Sequence, residues 1–152
     1  MKIRTDFVTN SSSSSFVLGF KDEESIEKTL LKEKEKMMAG IWISINERDY
    51  DMLLNDCKEK GMSLNEVLKN IAWEFDERAR WEDDKRNGFR YDTDFEYDSE
   101  FIKNEIVKYT EELKRKAEGM NYFVYVEYED DETMLDYVLR DTPFTLEWFS
   151  HH

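Results

Sequence analysis

The sequence predicts an α+β fold: a mixed or antiparallel sheet of about four to five short strands packed with about four helices. Three observations carry that prediction. Several segments repeat apolar residues at helical spacing. Others are short β-branched or aromatic runs bounded by turn residues. The two kinds are interleaved along 152 residues with no internal repeat, a length that suits a single domain over 1–152.

The elements follow in order. Phe7-Val8 and Phe16-Val17-Leu18 read as two short strands, and the run Ser11 to Ser15 between them reads as their connecting loop. A helix is expected over 22–38, with Ile26, Leu30, Leu31 and Met37 or Met38 as its apolar stripe and Ala39-Gly40 closing it. Alternation in Ile41-Trp42-Ile43-Ser44-Ile45-Asn46 predicts a strand. Two helices follow. The first, over 47–60, carries Tyr50, Leu53, Leu54 and Cys57. The second opens at Ser63 with Glu66 three residues on, a capping box, and carries Val67, Leu68, Ile71, Ala72 and Phe75. After the Asn87-Gly88 turn, Phe89, Tyr91, Thr93, Phe95 and Tyr97 alternate with charged residues, which reads equally as an edge strand or an acidic loop. Asp98 or Ser99 caps a helix to about Gly119 with Ile102, Ile106, Tyr109 and Leu113 inward. Residues 122–126 form the strongest strand signal, expected to be central, and 132–139 a short helix. Beyond Pro143, residues 144–149 form a last strand.

Composition narrows the function classes. The net charge of −14 disfavours nucleic acid and anionic membranes as partners and favours basic partners, cations or, most simply, solubility. The single cysteine, Cys57, permits no internal disulfide and suits a reducing, cytoplasmic setting. No apolar run is long enough for a membrane span, and the opening residues lack the apolar stretch of a signal peptide.

Residues 41–77 resemble the ribbon-helix-helix family of dimeric DNA-binding proteins: the strand at 41–46, a helix, the Gly61-Met62-Ser63 turn and a second helix. The resemblance implies that Ile41, Ile43 and Ile45 face a core and that Trp42, Ser44 and Asn46 face the groove. It also implies that Ser63 and the amides after it meet phosphate. The sequence departs from that pattern at Trp42, where such ribbons present Arg, Lys, Gln or Asn, and in the net acidity of both helices. The opening, from Met1-Lys2-Ile3-Arg4 through Asn10 and the serine run to Phe16, resembles the start of many uncharacterised bacterial and phage proteins. The ending Ser150-His151-His152 is similar to the end of some of them. That resemblance implies an origin and no activity.

Chemistry-bearing motifs are few. Asp92, Asp94, Glu96, Asp98 and Glu100 alternate like the start of a calcium loop, but Tyr97 and Lys103 stand where the glycine and the bidentate glutamate belong. Glu82-Asp83-Asp84 and 129–132 are further acidic runs, most simply solvated. His151 and His152 sit on a terminus expected to fray, and Cys57 falls on an apolar stripe. No nucleotide loop and no nucleophile, base and orienter set is present, so no catalytic, metal or cofactor residue is assigned. The favoured reading is a non-enzymatic interaction protein for a basic protein partner, in its extreme form a phage-type inhibitor whose carboxylates mimic phosphates. Asp92, Asp94, Glu96 and Trp81 are its candidate contacts, and an oligomer is compatible with it. The alternatives are the ribbon-helix-helix DNA regulator and a metal-dependent enzyme.

Overall fold

A computed structural model describes residues 12–88 and 96–151. Its elements are β1 (Ser13–Phe20), α1 (Ile26–Met38), α2 (Glu47–Glu59), β2 (Gly61–Met62), α3 (Leu64–Arg86), α4 (Ser99–Lys116), β3 (Tyr122–Glu129), α5 (Leu135–Val138) and β4 (Thr145–Ser150). The class is α+β, with an antiparallel sheet of order β2-β3-β1-β4. The strand at Phe7-Val8, the alternating segment from Phe89 to Phe95 and His152 lie outside the described residues.

The sheet is covered on both faces, and this dictates where each strand residue goes. Phe16, Leu18 and Phe20 of β1 and Val124, Val126 and Tyr128 of β3 pack against α1, α2 and α5. Val17, Phe123, Leu146 and Phe149 pack on the other face, against α3 and α4. An interior strand with both faces covered reads as a continuous buried run, not as an alternation. The serine run is where the sequence reading fails. Ser13 to Ser15 are not a loop but the first residues of β1, paired with β3 on one side and β4 on the other, and Ser14 and Ser15 are buried. Serine is tolerated there because each hydroxyl finds a partner. Ser14 Oγ accepts from Arg140, and Ser13 and Ser15 meet the His151 ring.

A second correction concerns residues 41–46, which form no strand. The segment returns to the fold through one bond, from the Ile45 N–H to the Met37 carbonyl, and only Ile45 is buried. Ile41 and Trp42 are 89% and 90% exposed, so the alternation there has no sheet face to serve. Leu31 and Ala72, placed on buried stripes by spacing, are exposed at the margins of α1 and α3.

The helices otherwise follow their caps. Asn46 Oδ1 accepts from the Asp49 N–H at 2.8 Å to start α2. Ser63 and Glu66 form the expected capping box of α3. That helix runs to Arg86, well past the apolar stripe ending at Phe75, because Val67, Ile71, Phe75, Ala79 and Asp83 keep one four-residue spacing along its buried side. Asp83 is not a solvated charge. It is fully buried and accepts from Arg86, the Asn87 side chain and the Asp98 N–H, pinning the end of α3 to the start of α4. Among the described residues, no helix is long and apolar enough to cross a membrane.

Candidate functional site

The most concentrated chemistry lies where α3 crosses the sheet. Side chains two apart along a strand share a face, so Ser13 and Ser15 of β1, Tyr125 and Glu127 of β3, and His151 just beyond β4 converge under α3. Backbone pairing fixes His151: its N–H donates to the Ser13 carbonyl at 2.9 Å, extending the β1–β4 ladder by one residue. The expectation of a frayed terminus fails at this position for that reason.

The imidazole sits between two carboxylates. Nε2 is 2.6 Å from Glu74 Oε1, and Nδ1 is 3.0 Å from Glu127 Oε2. An ionised carboxylate only accepts, so this pair of contacts favours the imidazolium, the form in which both ring nitrogens donate. Burial pushes the His151 pKa down, but the hydrogen bond and charge of Glu74, then those of Glu127, outweigh it and the net shift is upward. Trp73 lies against the ring at 5.6 Å between centroids, a further favourable contact for a cation. Glu74, 3% exposed, also accepts from Tyr125 Oη at 2.6 Å. Burial, followed by the Glu74 bond, pushes the Tyr125 phenol pKa upward and keeps it a donor. Ser13 Oγ donates to Glu127 Oε2 at 2.8 Å.

In its doubly protonated form the ring is clamped between the two carboxylates. Ser13 Oγ is 3.1 Å from Nδ1, but a ring that donates from both nitrogens has no lone pair to take the serine proton. Glu74 and Glu127 meet opposite nitrogens of the ring, so one ion cannot bind both carboxylates together with a ring nitrogen. Elsewhere, the acidic run does converge, with carboxylates of Glu129, Asp131 and Glu132 within 4.8 Å of one another, all exposed. Burial and the neighbouring Glu132 raise the Glu129 pKa, as crowded like charges do.

Beside the clamp an open cleft of about 680 Å³ runs between α3 and the edge strand β4. Glu74, Glu77, Arg78 and Trp81 line it from the helix, and residues from Glu147 to His151 line it from the strand. Arg78 donates to Glu147 at 3.0 Å and to the Trp148 carbonyl at 3.2 Å, with its guanidinium over the Phe149 ring at 4.6 Å. Trp81 is 55% exposed at the rim and Trp148 36%.

The residues anticipated from sequence are dispersed. Trp81 lies on this cleft. Glu96 is exposed and irregular, lining a separate groove with Asp76, Arg80 and Tyr97, while Asp92 and Asp94 lie outside the described residues. Of the groove-facing set, Trp42 is exposed, Ser44 is half-buried, and Asn46 and Ser63 are engaged as helix caps. Cys57 is buried and its thiol is pushed up to about 12, by burial first and by Asp56 second, as the apolar stripe implied. Glu74, Glu127, Tyr125, Ser13, Ser15 and His151 were not singled out as a set. Signals for parts of it exist. Glu147, Phe149 and His151 alternate, and Glu74 is three residues from Ile71 and seven from Val67, on the buried side of α3.

Compared with known proteins, the chain matches no family model, no curated protein and no solved structure.

Proposed function

We propose that this is a non-enzymatic interaction protein that receives a basic segment of a protein partner in the cleft between α3 and β4. The observation that carries the reading is the lining itself. Exposed Glu77 stands beside the exposed indoles of Trp81 and Trp148, backed by Glu74 and Glu147, which are already paired with His151 and Arg78. An entering arginine or lysine meets both carboxylate and aromatic face, the two features that hold a cation. The overall charge of −14 steers such a partner towards the surface, and the steering weakens as salt rises. The Glu74–His151–Glu127 clamp supports the cleft by fixing the strand end against α3.

The test is a titration with a tetra-arginine peptide followed by tryptophan emission. The native chain binds, Trp81→Ala and Glu77→Gln each weaken binding several-fold, and the Glu77 variant shows a shallower salt dependence. Equal affinity of all three proteins for the peptide overturns the reading.

A further inference from the structure

The two edges of the sheet are finished differently. Backbone bonds fix which residues face outward, because hydrogen-bonding direction alternates along an antiparallel strand. The His151 N–H bonds to Ser13, so from Glu147 to His151 the even-numbered residues turn their backbone groups away from β1; a register shift opposite Val17 and Leu18 reverses this beyond Leu146, where the Phe144 carbonyl accepts from Gly19. Two carbonyls of this strand are capped by cations: Leu146, at the register shift, by Lys116 at 3.3 Å and Trp148 by Arg78 at 3.2 Å. That edge is guarded against further pairing.

Among the described residues, the other edge is open. The Asp130 N–H bonds to the Ser12 carbonyl at 2.9 Å, so in β3 the even-numbered residues face β1 and Tyr125, Glu127 and Glu129 face outward. The edge strand β2 covers only Phe123 and Val124. Among the described residues, no strand lies beside Tyr125 to Glu129 on that side. Glu127 and Glu129 are exposed there, and Asp131 and Glu132 follow at the strand end. These charges decide the occupant. A second copy paired along this edge would set Glu127 and Glu129 against the same glutamates, and like charges across a ladder destabilise it. A basic extended segment meets complementary charge at the same positions.

We propose that the outer edge of β3 from Tyr125 to Glu129 takes up a basic, extended segment of a partner protein as an added strand. Backbone groups of Tyr125 and Glu127 supply the ladder, and Glu127, Glu129, Asp131 and Glu132 select lysine or arginine. The backbone ladder of this surface is separate from the α3–β4 cleft, although the Glu127 side chain also holds His151 at the end of that cleft.

The experiment is amide hydrogen exchange on the full chain with a (Lys-Val)4 peptide. At saturation the amides of Tyr125 and Glu127 slow at least tenfold, while a (Glu-Val)4 peptide leaves them unchanged. A fully N-methylated (Lys-Val)4 peptide keeps the charge and lacks every ladder donor. It binds at least tenfold more weakly, a comparison that leaves the protein unaltered. Trp81→Ala leaves this protection intact, which separates it from the cleft. Unchanged exchange, or equal binding of the methylated peptide, overturns strand addition. Slow exchange that appears without peptide as protein concentration rises overturns the choice of occupant in favour of a second copy.

Discussion

At the scale of single residues, His151 is the group whose charge matters most to its surroundings. Its folded pKa is raised, so the imidazolium is favoured in the native state relative to the unfolded chain. The resulting stability is fully present below the unfolded value of about 6.5 and is lost as pH rises through the higher folded value. His151→Asn therefore lowers the thermal midpoint more at pH 5.5 than at pH 9. A gap independent of pH would show that the ring serves only as packing. Cys57 makes the opposite case. With the thiol buried and its pKa pushed up to about 12, a disulfide exchange reagent at pH 8 leaves it unmodified until the protein unfolds. Rapid labelling of the native chain would contradict that burial.

At the scale of elements, the ends of α3 hold two different corners. Ser63→Ala removes a cap and costs about 1 kcal/mol of stability, read by denaturant unfolding. Asp83→Ala costs more, about 2 kcal/mol, because it leaves buried donors at the α3–α4 junction without their acceptor. The inverse order would mean that Asp83 does not hold the α3–α4 junction. Both ends were partly legible. Ser63 and Glu66 announce their cap by spacing alone, whereas Asp83 sits in an acidic run that looks solvated and becomes structural only when α4 arrives beside it. The 41–46 segment fails in the other direction. Its β-like alternation is strong, but a strand needs a neighbour to satisfy its backbone, and the interior of the sheet is already taken by β1 and β3.

At the scale of the whole molecule, charge and close packing set separate limits. Affinity for a basic partner at either proposed surface falls as ionic strength rises, whereas the fold itself is held by two buried clusters on the sheet faces and depends far less on salt. The corner between α2 and β2 is tight. A Cβ at Gly61 would overlap the Tyr122 ring, whose hydroxyl donates to the Cys57 carbonyl at 2.8 Å. Gly61→Ala therefore lowers stability by displacing Tyr122, and thermal unfolding measures the loss. An unchanged midpoint would show that Tyr122 can move without cost.

The sequence by itself determined the α+β class, most helix stripes, the cap at Ser63, the cap at Asp98 to within one residue, the central place of β3 and the burial of Cys57, because each rests on periodicity or on neighbours a few residues away. Tertiary structure alone decided the rest. Ser13 to Ser15 become strand because β3 and β4 pair with them from distant parts of the chain. His151 becomes an ordered cation because Glu74 and Glu127, 77 and 24 residues away, close on its ring. Contacts of that separation leave no local period to read, since their energy depends on which strands become neighbours.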